Sequence, residues 1–345
     1  MYLIESKRDG KWIMDPGLAM AFQEYIKTEI VLDETILMPY IMQPAIQIGK
    51  FQNAYEEVNV PYLEENDIKI VRRETGGGAI YLDERNMSFS FLFNDDNQNI
   101  YGNYKKLYAP AVEALKKLGV SDVVQEGRND LVVDNKKVSG AAMTLYKGRI
   151  YAGFSLLTDP NYEAMVAALN PNQKKITSHG IKSIRSRVGS LRDYFNEEYQ
   201  QITLDDFTTF MICSLMNIDT IDQAKRYELT PEDWEKIDQI NRDKYSNWDW
   251  NYGRFKVFEN HVVGRIDKVG TLRIAMKVEH AKIDEIQITG DFFGKKEIQT
   301  LEEHLKGTRL EKAALNDVLD DIKLTEYIAK LDQTTFIKFI MSELN

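Results

Sequence analysis

Strand-like and helix-like patterns fall into two blocks in this chain, divided by the irregular stretch SNWDWNYG at 246–253. Before it, short or alternating apolar runs predict strands at 2–5, 36–42, 45–49, 68–73, 79–82, 87–93, 131–133, 137–144 and 149–157. Period-3.6 patterns predict helices from after a turn at Asp15-Pro16-Gly17 to about Glu29, and at 104–118, 161–169, 204–217 and 231–244, with Pro110 distorting or restarting the second. After it come strands at 254–258, 261–268, 271–279 and 282–289, then helices near 294–306, 308–322 and 324–342. Strands grouped before helices indicate α+β rather than alternating α/β. A length of 345 residues allows about two domains. The predicted division is 1–246, a linker over 247–253, and 254–345.

Several classes are disfavoured. No apolar run approaches the roughly 20 residues that span a bilayer, and the opening MYLIESKRDGKW lacks the order of a secretory signal. The single cysteine, Cys213, sits among apolar neighbours at helical spacing and reads as a buried thiol. No Cys/His spacing resembles a zinc site, and a cytoplasmic protein is expected. A net charge of −10 disfavours a general phosphate-backbone binder, so short basic clusters stand out.

The first such cluster is Arg72-Arg73-Glu74-Thr75-Gly76-Gly77-Gly78-Ala79-Ile80-Tyr81. Three glycines between strands each cost about 0.5–1 kcal/mol relative to alanine. They make sense where backbone amides must approach an anion, with arginines beside them as planar donors. A glycine bulge with surface arginines is the alternative. No Gly-Lys-Ser/Thr or G-x-G-x-x-G pattern is present here.

The second is Gly127-Arg128-Asn129-Asp130-Leu131-Val132-Val133, followed by Asp134-Asn135-Lys136-Lys137-Val138-Ser139-Gly140-Ala141-Ala142. An Asn-Asp pair entering a strand suits Mg²⁺ or phosphate. A lysine beside small residues could reach the same place, although Asp-Asn-Lys-Lys is also ordinary turn composition. The third, Ser178 to Ser190, carries Lys182, Arg185 and Arg187 between glycines and reads as a cationic loop that either closes over an anion or is plain surface.

In this order the segments resemble the lipoate–protein ligase family, of the lipoate–protein ligase A type. That family carries RR-x-x-GGG-A-V/I-F/Y, GRND-L-V-V, K-V-S-G-S/A-A and K-x-I-x-S-V/I-R-S-R-V elements. Gln47 to Asn53 fits its upstream G-x-x-Q-N element. The resemblance covers roughly 15–190 by motif. It implies a biotin/lipoate protein ligase-like catalytic domain over 1–246 and a small α+β C-terminal accessory domain over 254–345.

The resemblance also implies the reaction: lipoate and ATP give lipoyl-AMP and pyrophosphate, and a lysine of a lipoyl-carrier domain then takes the acyl group. Such carriers are 2-oxoacid dehydrogenase acyltransferase subunits and the glycine cleavage H protein. The enzyme would be a monomer without nucleic-acid or membrane partners. ATP with Mg²⁺ would be bound by Arg73, Gly76, Gly77, Gly78, Ala79, Ile80, Tyr81, Asn129, Asp130, Lys137, Lys182, Arg185 and Arg187, with Asp130 at the metal. Lys137 would be catalytic, touching both the α-phosphate and the acyl carbonyl. Lipoate would meet Leu18, Arg73, Thr75, Lys137, Ser139, Gly140, Ala142 and Gly153.

Two departures bear on the acyl pocket. Leu82 stands where many relatives have histidine, and Tyr151-Ala152-Gly153-Phe154-Ser155-Leu156-Leu157 replaces a common His-His-Gly-Thr-Leu-Leu strand. Two other readings remain: an ATP-independent octanoyl or lipoyl transferase using Cys213, and a noncatalytic lipoate or adenylate binder.

Overall fold

The computed structural model describes residues 1–94, 99–169, 178–253, 258 and 260–343. The chain packs as two units. The first comprises Met1–Gln47, Val58–Val71 and Ile80–Trp250; the second comprises Ile48–Glu57, Arg72–Ala79 and Asn251–Asn345.

In chain order the elements begin with β1 (Tyr2–Leu3), β2 (Lys7–Arg8), β3 (Lys11–Trp12), α1 (Pro16–Glu29), β4 (Ile36–Tyr40) and β5 (Ala45–Ile48). Then come α2 (Ala54–Glu57), α3 (Val60–Glu65), β6 (Lys69–Arg72), β7 (Ile80–Leu82), β8 (Met87–Phe93), α4 (Tyr104–Lys117) and β9 (Val124–Glu126). The hairpin strands β10 (Asp130–Val133), β11 (Lys136–Tyr146) and β12 (Arg149–Leu156) follow. Helices α5 (Tyr162–Ala168), α6 (Ser178–Arg185), α7 (Leu204–Met216), α8 (Pro231–Ile240) and α9 (Trp248–Asn251) lead to β13 (Asn260–Ile266), β14 (Gly270–Glu279) and β15 (Lys282–Gly290). Helices α10 (Ile298–Leu305), α11 (Lys312–Leu319) and α12 (Gln333–Ile340) complete the series. No helix among the described residues is long and apolar enough to cross a membrane.

The first unit is built on a seven-stranded sheet of order β1-β4-β8-β12-β11-β10-β9, parallel at β1/β4 and antiparallel elsewhere. One face meets α4 and α7 in a core that joins Phe89, Phe91, Phe154, Leu107, Tyr108, Phe207 and Met211. On the other face, α1 covers β4, with Phe22, Tyr25 and Ile26 against Ile36 and Met38. Asp15 starts α1 by accepting from the Leu18 N–H at 2.8 Å, and Pro16 fits the first turn, where no backbone donor is required. Helix α4 runs unbroken through Pro110, because its buried stripe of Leu107, Tyr108, Ala111, Ala114 and Leu115 outweighs one missing hydrogen bond.

The second unit is a β13-β14-β15 meander with α10, α11 and α12 packed on it around Leu272, Ile274, Ile286, Leu301, Leu315 and Phe336. Phe51 joins this core, its ring stacked on Phe292 at 4.8 Å. The helix predicted over 324–342 is split: Lys330 has a left-handed φ of 65°, and Asp332 caps a fresh start at Gln333. Most of the strand predicted over 254–258 lies outside the described residues. The predicted linker contains α9, whose Asn251 is buried. Its side-chain oxygen accepts from Arg72 N at 2.8 Å, and its carbonyl accepts from Arg72 Nη2 at 2.8 Å.

Candidate active site

The β10–β11 hairpin turns in two residues. Asp134 and Asn135 both take left-handed φ values, 49° and 60°, the signature of the type I′ turn that matches strand twist. Beyond the turn the register slips. Val132 opposes Lys137 while Leu131 opposes Ser139, so β11 carries one extra residue, Val138. A bulge re-aims the side chains that flank it. Val138 and Ser139 are both fully buried. Lys137 instead lies with Gly140: a Cβ built on Gly140 would stand 3.1 Å from Lys137 Nζ.

The Lys137 backbone is fixed on its free side. Its N–H donates to Arg187 O at 2.7 Å, and its carbonyl accepts from Gly189 N at 2.9 Å, a parallel bridge centred on Val188. Its ammonium pairs with Asp130 Oδ1 at 2.8 Å. The two side chains are 37% and 34% exposed, so solvent screens the pair and its net contribution is at most about 1 kcal/mol. The pair holds a cation at an accessible place without adding much to stability.

Beside it lies a floor of small groups. Along β11, Gly140 and Ala142 are partly open while Ala141 and Met143 are buried; along β12, Tyr151 and Gly153 are partly open while Ala152 and Phe154 are buried. Gly153 sits between Ala142 and Ser90 in the sheet. A Cβ on Gly153 would stand 2.9 Å from Ser90 Oγ and 3.0 Å from the Phe89 carbonyl, so only glycine fits this close approach. Leu18 of α1 is likewise partly open.

Other expected residues do different work. The Ser139 hydroxyl shares a 3.1 Å hydrogen bond with Tyr108 Oη and faces the core, so its side chain does not line an acyl site as the sequence reading expected. The bulge is the reason. The Asn129 amide donates to the Ala141 carbonyl, and its backbone oxygen accepts from Ala141 N at 2.9 Å, which ties the strand ends together. Ile80 and Tyr81 belong to β7, paired with Gln47 and Ile46.

The sequence suggests a loop over 178–190, but Ser178–Arg185 is helical. Lys182, Arg185 and Arg187 are exposed, and Arg185 sits over the Tyr162 ring at 5.0 Å.

The glycine segment belongs to the second unit. Arg72 and Arg73, adjacent in sequence, have separate roles. Arg72 is fully buried, and its Nη1 donates to the carbonyls of Gly49 and Gln52 at 3.0 and 2.6 Å. The expectation that both arginines serve an anion is therefore corrected for Arg72, because strand alternation turns it inward. Arg73 is partly open. Its Nη2 donates to the carbonyls of Gly76 and Gly78, both at 2.8 Å, and its Nε donates to Thr75 Oγ1 at 3.0 Å. A Cβ on Gly76 would lie 2.3 Å from Phe292 O, and Gly77 N donates to that same carbonyl at 3.3 Å. Gly78 has open space around its Cβ position.

No group of three or more His, Cys, Asp or Glu side chains comes together among the described residues. A single half-buried carboxylate such as Asp130, paired with Lys137, fits Mg²⁺ only where substrate phosphates and water fill the other positions. Burial pushes the Cys213 thiol above its ordinary range, the reverse of an activated nucleophile.

The sequence profile for the lipoyl protein ligase A/B catalytic domain matches residues 15–216, and that for the bacterial lipoate protein ligase C-terminus matches 257–340. A lipoate–protein ligase of Streptococcus pyogenes is 49% identical over 331 residues, covering 96% of this chain and 97% of that protein. The crystal structure of Plasmodium falciparum LipL1 with lipoate aligns over 99% of both chains, with a TM-score of 0.74 and 19% identity. A lipoate–protein ligase A structure bound with ATP aligns over 74% of this chain and 98% of its own, with a TM-score of 0.57 and 23% identity.

Proposed function

The chain belongs to the lipoate–protein ligase family, and from that premise we propose how its residues perform ATP-dependent attachment of lipoate to protein. A carboxylate does not acylate an amine at neutral pH until it gains a leaving group. In the first half-reaction a lipoate carboxylate oxygen attacks the α-phosphorus of ATP, and pyrophosphate departs. In the second, the neutral ε-amine of a carrier lysine attacks the acyl carbonyl, AMP leaves, and the amine loses its extra proton. The acceptors are lysines of lipoyl-carrier domains, on 2-oxoacid dehydrogenase acyltransferase subunits or the glycine cleavage H protein.

The observation that carries this reading is the placement of Lys137. A cation with a backbone clamped by Arg187 and Gly189 stands over a floor of Gly140, Ala142 and Gly153 that leaves room for a substrate. Its ammonium offsets charge that builds on the phosphoryl oxygens, and later charge on the acyl carbonyl oxygen. Preorganisation matters because a fixed donor needs no rearrangement during the step. Asp130 keeps that ammonium oriented, and it is the residue that would hold Mg²⁺ arriving with the nucleotide. Bound there, Mg²⁺ would neutralise phosphate charge.

Exposed Lys182, Arg185 and Arg187 supply further cations on the segment that also clamps Lys137. Within the second unit, Gly78 offers unobstructed backbone to an anion, and Arg73 holds that loop in shape. The raised Cys213 thiol disfavours a cysteine-dependent transferase. Pyrophosphate release measured with ATP and lipoate, octanoate or biotin tests the reading. Release with lipoate supports it, and no release with any acid sinks it in favour of a noncatalytic binder.

A further inference from the structure

The face of the sheet opposite α4 and α7 is organised in rows. Ser88, Ser155 and Gly140 lie side by side across β8, β12 and β11. The next row is Ser90, Gly153 and Ala142, and the third is Leu92, Tyr151 and Thr144. Lys137 Nζ stands over the first row, next to Gly140. Residues two apart on an antiparallel strand are separated by about 6.8 Å, so the third row lies about 14 Å from the first.

Between these ends the floor has no side chain larger than a methyl group at 142 and 153. From the third row a tyrosine ring leans back, its hydroxyl beside Ser90 of the second row, so the open floor ends there. That ring is tied down. Tyr151 Oη donates to Gln23 Oε1, and Ser90 Oγ donates to the same oxygen at 2.7 Å. The two hydroxyl oxygens lie 3.2 Å apart. Gln23 is itself buried in α1, and its Nε2 donates to the Ala19 carbonyl at 3.0 Å. A buried amide held at both ends has one orientation open to it, and the hydroxyls bonded to its oxygen inherit that orientation.

We propose that Tyr151, positioned by Gln23 and Ser90, is the end wall of the acyl site and limits the length of acid that can be activated. The proposal rests on the ligase reading above and adds a specificity-determining residue to it. The flat ring also offers a soft surface to a dithiolane, since divalent sulfur packs well against aromatic rings. An unbranched acid longer than the lipoyl backbone meets the ring instead of open space.

The test is kcat/KM for pyrophosphate release with ATP and a series of acids: lipoate, octanoate, decanoate and dodecanoate. The wild-type protein, Tyr151→Ala, Tyr151→Val and Tyr151→Phe are compared, each checked by thermal melting. Two shortened variants are used so that a single misfolded one does not decide the outcome. Each newly buried methylene is worth about fourfold. The ratio of decanoate to lipoate should therefore rise about tenfold or more in the shortened variants, while Tyr151→Phe, which keeps the ring but loses its contacts with Gln23 and Ser90, keeps the length limit and raises KM for lipoate. Gln23→Leu should raise KM for lipoate and leave kcat nearly unchanged, as expected for a residue that acts by orienting the wall.

Folded shortened variants that use lipoate but still reject decanoate would overturn the proposal. So would a wild-type protein that takes dodecanoate as readily as lipoate. No release by the wild-type protein with any acid would instead overturn the ligase reading beneath it.

Discussion

Lys137 and Asp130 face each other across a bulged pair of strands, with the ammonium nitrogen 2.8 Å from a carboxylate oxygen. Asp130→Asn removes the charge and keeps the shape. The unfolding midpoint should stay nearly constant, because a pair this exposed contributes at most about 1 kcal/mol. Pyrophosphate release, titrated against Mg²⁺ at fixed ATP, should need several-fold more Mg²⁺ to saturate. An unchanged Mg²⁺ requirement would remove Asp130 from the metal.

Gly153→Ala should be costly for so small a change. Its new methyl would meet Ser90 Oγ and the Phe89 carbonyl, and a central-strand backbone gives way poorly. Overpacking of this kind costs about 1–3 kcal/mol. Urea unfolding checks the stability, and KM for lipoate should rise in the same variant. Stability equal to the parent would show that the close approach relaxes freely.

The two arginines preceding the glycine segment should behave differently. Arg72→Met removes the donors to three buried carbonyls, those of Gly49, Gln52 and Asn251. The Gly49 carbonyl still accepts from the Gln52 N–H at 3.1 Å, and each of the other two lost bonds costs about 1–3 kcal/mol, so a loss of at least about 2 kcal/mol is expected in chemical denaturation. Arg73→Ala, at a partly open position, should affect the melt much less and activity more.

Cys213→Ser should retain full activity with unchanged dependence on ATP. Burial raises the pKa of the thiol, which lies on α7 at a partly buried position rather than the fully buried one the sequence suggests. A large loss of acyl transfer in that variant, with normal folding, would revive the cysteine-dependent alternative.

Much of this arrangement is legible in the linear sequence. Asp134-Asn135 announces a two-residue turn, and β11 and β12 follow from their apolar alternation. The bulge at Val138 is not legible, because Lys-Val-Ser-Gly reads equally well in either register. Its effect is to exchange Ser139 for Lys137 on the open face. Adjacent arginines give no sign of which one turns inward; that depends on carbonyls from 49–52 and on Asn251, distant in sequence. The packing of 48–57 and 72–79 with 251–345 is equally a product of tertiary contacts. The small-residue floor also carries a sequence signal: Ser88 and Ser90 alternate with Phe89 and Phe91, and Gly153 and Ser155 alternate with Ala152 and Phe154. Small polar residues at period two on two neighbouring strands mark a face that is not filled by apolar side chains, although Ser88, Ser90 and Ser155 are buried.

The decisive measurement is lipoate-dependent pyrophosphate release by Lys137→Ala, with a thermal melt on the same preparation. The account predicts a fall of about 10²–10³-fold in rate, the size seen when a preorganised donor to developing charge is removed, with a melting temperature close to that of the parent. A folded variant that releases pyrophosphate at the parent rate would contradict it.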